Sequence, residues 1–174
     1  MKNKIPLLFI LGLISINLLS NSCKKGNNSN IPHLLTNGTW QLATLQATNY
    51  IGDSQIGNPD TLNVNCDSVE LFTFKTDNTC TYTNFDCLPQ TTSGTWTLTE
   101  NNVFFTSDMI CKDTTATGTP VTPSPMPFSN TKIVTLGVYS MVLETGDVQP
   151  NYSSTKKRRV VRYGFIRRKA ISTN

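Results

Sequence analysis

Beyond residue 22, apolar and polar positions alternate with a period of two, and no segment repeats at the spacing of a helix. The pattern is clearest from Cys66 to Leu98. Val69, Leu71 and Thr73 fall on one face of a first strand, and Glu70, Phe72 and Phe74 on the other. Thr76-Asp77-Asn78-Thr79 supplies residues that tolerate positive φ, so the chain reverses there. Cys80, Tyr82 and Asn84 then alternate with Thr81, Thr83 and Phe85, and Ser93-Gly94 opens a third strand, TWTLT. β-Branched and aromatic residues dominate throughout.

The same reading predicts five further strands. One runs from Asn37 to about Ala47 with Trp40 and Leu42 on one face. Another follows the Asn101-Asn102 turn and puts Val103 and Phe105 on one side. Lys132–Leu136 and Tyr139–Thr145 are separated by a turn at Gly137. In the last, Arg159 to about Lys169, Val161, Tyr163 and Phe165 alternate with Arg162 and Gly164. Residues 49–65, with Gly52, Gly57 and Pro59, read as a long loop. Residues 108–129 carry prolines at 120, 123, 125 and 127 and read as a loop or flap.

Eight strands without a helix imply an all-β domain, and short sequential connections favour an eight-stranded up-and-down antiparallel barrel, which leaves no open edge. The alternative is a β-sandwich whose crossovers use the two long loops. An eight-stranded barrel is either just filled by side chains or just able to hold one small ligand. Phe72, Phe74, Tyr82, Trp96, Phe105, Tyr163 and Phe165 point inward if alternation holds. They form either a filled core or the lining of a binding cavity for a small hydrophobic ligand.

The N-terminus changes the picture of where this domain sits. Lys2 and Lys4 precede an apolar run from Pro6 to Leu19, too short to span a bilayer comfortably and followed at once by small polar residues. Residues 1–22 therefore read as a secretory signal, 23–35 as a flexible polar tether, and 36–174 as the barrel domain. Leu19-Ser20-Asn21-Ser22-Cys23 resembles the lipobox of bacterial lipoproteins, in which the cysteine is lipidated and becomes the first mature residue. An ordinary signal peptide with a structural Cys23 is the alternative; the flexible tether and the four remaining cysteines favour lipidation. The resemblance implies three acyl chains. One chain anchors only marginally, at ~0.8 kcal/mol per buried methylene, whereas several hold a protein on the membrane. Lys24 and Lys25 follow the cysteine, with no acid before Asp53, and in that family this implies the outer membrane with the domain facing the periplasm.

Losing Lys2 and Lys4 reduces the formal charge from +4 to about +2. Basic residues cluster between Lys156 and Lys169, on an otherwise acidic body. No aromatic stacking platform accompanies them, and an exported chain does not meet nucleic acid, so a solvated edge or a patch near anionic head groups is the reading.

Gly38-Thr39-Trp40 at the start of the first strand resembles the Gly-x-Trp signature of the lipocalins. The later Ser93-Gly94-Thr95-Trp96, with the preceding FTFKTDNTCTY hairpin, is similar to the lipocalin-like domain of small bacterial lipoproteins. The likeness covers roughly residues 36–169. It implies that Trp40 packs at the closed barrel end under a basic residue of the last strand, either Arg162 or Arg167. It also implies a binding module. A filled barrel that docks an envelope protein or lipid head groups is the second reading.

Few residues suggest chemistry. Cys66, Cys80, Cys87 and Cys111 are an even set in an exported domain and read as disulfides. Hairpin register places Cys66 near Cys87, and elimination then pairs Cys80 with Cys111. There is no zinc-ligand spacing, and the single histidine, His33, falls in the tether, so neither a metal nor a cofactor is expected. Glutamates and aspartates are scattered, and no nucleophile elbow, P-loop or Rossmann glycine pattern occurs, so no catalytic residue and no enzyme is expected. Asp60-Thr61-Leu62, Asp67-Ser68-Val69 and Asp113-Thr114-Thr115 resemble an O-glycosylation motif of some bacterial exported proteins.

Overall fold

A computed structural model describes residues 30–62, 66–99, 101–115, 117–148 and 154–168. Residues 1–22, read above as a secretory signal, and Cys23 lie outside these residues. The described chain runs α1 (Ile31–Thr36), β1 (Thr39–Ile51), β2 (Ser54–Thr61), β3 (Leu71–Phe74), β4 (Thr79–Thr83), a 3-10 turn (Phe85–Cys87), β5 (Thr91–Leu98), β6 (Phe104–Ser107), β7 (Thr131–Leu136), β8 (Ser140–Gly146) and β9 (Lys157–Arg167). All pairings are antiparallel, in the order β2-β1-β3-β4-β5-β6-β7-β8-β9, and β1 also pairs with β9. The β1–β9 seam closes eight strands into a barrel, with β2 as an extra strand outside the ring. A two-layer sandwich is thereby excluded.

Two expectations are corrected. Residues 49–65 are not one long loop. β1 continues to Ile51, turns through Gly52 (φ +58°), and returns as β2, with Ile51 opposite Ser54 and Tyr50 opposite Gln55. Every residue of β2 is exposed, so no inside–outside alternation marked it as a strand. Gly57 and Pro59 suit this outer edge, where a missing N–H harms no ladder. Nor is the stretch before residue 36 wholly tether. Ile31–Thr36 form a short helix with Pro32 in its first turn and Leu35 fully buried.

The barrel has two unlike ends. At the closed end lie α1 and the short connections 75–78, 101–103 and 137–139. At the other end lie the β1–β2 hairpin, the 3-10 turn and the Pro-rich segment before β7. β1 divides its partner edge between these ends. Thr39–Gln41 pair with β3, whereas Gln46–Ile51 pair with β2. β1 and β3 therefore part company near the open end, and a seam opens between them.

The core follows the alternation read from the sequence. Glu70, Phe72 and Phe74 point inward from β3, Cys80 and Tyr82 from β4, and Tyr163 and Phe165 from β9. In β1 a bulge between Leu42 and Thr44 shifts the inward set from Trp40 and Leu42 to Leu45 and Ala47. Gly164 lies opposite Thr44, where a β-carbon would come within 2.3 Å of the threonine hydroxyl. Phe128, from the Pro-rich segment, is fully buried among the barrel aromatics. That segment is thus anchored across the interior and does not hang free.

Candidate functional site

At the closed end, Trp40 is fully buried and its indole N–H donates to the Leu35 carbonyl at 3.0 Å. The Arg167 guanidinium stacks over the indole, 4.3 Å from the ring centroid, and Arg167 is the direct cross-strand partner of Trp40. The same guanidinium donates to the carbonyls of Leu34, at 2.7 Å, and Asn37. Arg167 therefore ties α1 to the barrel floor. Of the two basic candidates the structure selects this one. Arg162 points outward from β9 into a 3.2 Å ion pair with Glu144.

Toward the open end, Cys66 and Cys87 form a disulfide with Cα atoms 5.1 Å apart. It brackets the β3–β4 hairpin as the register predicted. Cys87, Asp86 and Asn84 all adopt positive φ (57°, 54° and 60°), a region that Asn and Asp tolerate better than Cys. This turn aims the backbone N–H groups of Asp86 and Cys87 at the carboxyl of Glu70. The Tyr82 hydroxyl donates to the same carboxyl at 2.8 Å. Glu70 is 5% exposed, and burial raises its pKa to about 7 against the opposing effect of these donors.

The seam between β1 and β3 holds a recess of about 600 Å³. Leu45, Leu62, Val161 and Tyr163 form its apolar side, supplied by β1, β9 and the end of β2. Glu70, Asp86 and Asp113, with Phe85, line the side supplied by the 3-10 turn and its neighbours, and the exposed Arg159 also borders the recess. Asp86 accepts from the backbone N–H and the hydroxyl of Thr114, at 3.0 and 2.8 Å, and so pins the Pro-rich segment to the 3-10 turn. Burial, the hydrogen bond that a protonated Asp113 can donate to Asp86, and the adjacent Asp86 charge all raise the pKa of Asp113.

The seven inward aromatics are placed unevenly with respect to this recess. Phe72, Phe74, Tyr82, Trp96, Phe105 and Phe165 pack against one another and against Phe128, with Phe72 4.1 Å from Phe74 and 4.7 Å from Phe128 between ring centroids. They fill the barrel. Of the expected ligand residues, only Tyr163 lines the recess.

Cys80 and Cys111 are not bonded to each other but remain separate buried thiols. Cys80 faces Gly94 on β5 and meets the Ser107 hydroxyl at 3.4 Å; Cys111 meets the Thr92 hydroxyl at 3.5 Å. β5 runs between them, and Thr92 lies two residues along it from Gly94. Strand spacing of ~4.8 Å and a rise of ~3.4 Å per residue then separate the two Cα atoms by ~12 Å, beyond disulfide reach. Burial raises the Cys111 thiol to about 11 and shifts that of Cys80 upward too, so both stay protonated. Of the Asp-Ser/Thr triplets, Thr61 and Ser68 are exposed, whereas the Thr114 hydroxyl is occupied by Asp86.

The carboxyl-bearing side was missed in the sequence because its members come from three separate segments. One signal was present: Glu70 shares the inward face with Phe72 and Phe74, so a buried acid was already implied. His33 lies within α1, and its carbonyl accepts the N–H of Asn37.

No curated protein matches this chain. Two solved structures are similar. One is a crystal structure of LTBP1 in complex with LTC4, at a TM-score of 0.40 and 13% identity, covering 89% of this chain and 80% of that one. The other is a point mutant of LTBP1 in complex with leukotriene C4, at a TM-score of 0.38 and 14% identity, covering 83% and 75%. A family described as a lipocalin-like domain matches residues 36–134, more than half of the chain. This match, borne by a closed antiparallel barrel, makes the chain a member of the lipocalin-like domain family.

Proposed function

We propose that the chain is a binding lipoprotein, moored to the outer membrane by acyl chains on Cys23 and facing the periplasm. It takes up a small ligand with an apolar body and carries out no catalysis. The observation that supports this reading is the recess of about 600 Å³ at the open seam, a volume in the range of small-molecule sites. The aromatics below it are packed, so the ligand sits at the mouth and not in the depth of the barrel. Burying an apolar body against Leu45 and Val161 gains roughly 25 cal/mol per Å² removed from water.

The test is mass spectrometry of the native product. Intact mass is expected to show an acylated Cys23, and an unmodified cysteine removes the anchor. Organic extraction is expected to release one class of small apolar molecule from the wild type and little from Val161→Arg, which places a long charged side chain in the recess. Extracts empty in both cases would end the binding assignment.

A further inference from the structure

We propose that the recess selects amphiphiles with a cationic head, the chain lying on the Leu45–Val161 wall and the head facing Glu70, Asp86 and Asp113. The inference rests on the binding reading above and deepens it. The site is the recess itself, and the distribution of charge across it sets the ligand class. Its apolar and acidic walls are supplied by different elements, so a ligand lying between them must present unlike sides. Three carboxyl groups stand against one guanidinium, and the guanidinium belongs to Arg159 on the exposed rim. Glu70 is 95% shielded from water and Asp86 and Asp113 are half-buried, so a head group placed there meets charges that solvent screens weakly. An anionic head would have to enter past these same groups.

Part of the acidic wall holds protons at neutral pH, which gives the site a pH dependence of defined sign. The groups facing Glu70 are Tyr82 from β4, Asp86 and the Cys87 amide from the 3-10 turn, Tyr163 from β9, and Cys111 and Asp113 from the Pro-rich segment; Arg159 faces the recess from the rim of β9. Both tyrosines and Cys111 titrate well above neutrality. Glu70, with a pKa of about 7, changes charge between pH 6 and 8. Its carboxylate form favours a cation, so affinity rises with pH through 7 and falls as the medium acidifies.

The test uses the chain from residue 23 onward, produced without residues 1–22 and carrying Cys23→Ser, so that neither the apolar segment nor an acyl group is present. Three ten-carbon probes are titrated by calorimetry: decyltrimethylammonium, decane-1-sulfonate and 1-decanol. None of them titrates in the range used. At pH 8 the ammonium probe is expected to bind at least tenfold more tightly than the sulfonate, and at pH 5.5 less than threefold. Glu70→Gln keeps an acceptor for Tyr82 and is expected to flatten the pH dependence; Asp113→Asn is expected to lower the preference at pH 8. Thermal melts of both variants establish that they are folded. Equal binding of all three probes, or preference for the sulfonate, overturns the inference and leaves the binding function standing. Binding of none overturns both.

Discussion

Arg162 and Arg167 leave β9 on opposite sides, and the difference decides what each contributes. Arg167 stacks on a fully buried indole and satisfies two carbonyls of the chain entering the barrel. Arg162 makes a single ion pair with its side chain 47% exposed. Arg167→Met should therefore cost about 1–2 kcal/mol of unfolding free energy. Arg162→Met should cost less than about 0.5 kcal/mol. Urea denaturation of the two variants checks this, and equal losses would show that the stack is inert. Glu70 makes a second prediction at this scale. Its folded pKa lies above the unfolded value, so the stability it contributes is present below about pH 4.5 and is lost as pH rises through 7. Glu70→Gln should consequently be more stable than the wild type at pH 8, by about 1–3 kcal/mol. The gap should close toward pH 4.5. Melting curves across this range would show wild type and Glu70→Gln converge at low pH, and a parallel offset at every pH would mean that Glu70 does not titrate there.

Strands, more than side chains, determine what could be read in advance. Where a strand buries one face, as β3, β4 and β9 do, alternation revealed both its existence and its inward residues, including Glu70 beside Phe72. Where burial is absent the sequence carries no such mark: β2 is exposed along its whole length and read as a loop. α1 is six residues long and buries one of them, too little for a helical period to register. The recess was illegible for a different reason. It forms where β1 exchanges β3 for β2, a tertiary event that brings Glu70, Asp86 and Asp113 together from unrelated segments. Cys80 and Cys111 were paired by elimination, which ignores that β5 separates them. Opposite the bulge in β1, Gly164 leaves room for the Thr44 hydroxyl. Gly164→Ala should cost about 1–3 kcal/mol through overpacking against Thr44. Gly137→Ala, where the nearest atom is 3.8 Å from the added carbon, should stay within about 0.5 kcal/mol. Denaturation midpoints of the pair test whether the bulge needs the glycine.

At the scale of the whole molecule, the two ends of the barrel divide the work. Trp40, Arg167 and α1 seal one end, and the recess opens at the other. Between them the barrel aromatics pack against one another, and the account places the ligand at the seam. The most direct test of this arrangement is an NMR titration of the Cys23→Ser chain with 1-decanol, following backbone amides and the two indole N–H groups. Shifts confined to the neighbourhood of Leu45, Glu70, Phe85, Thr114 and Val161, with the indoles of Trp40 and Trp96 unmoved, are the predicted result. Movement of the Trp96 indole and the amides of Phe74 and Phe105 would put the ligand in the depth of the barrel and contradict the account.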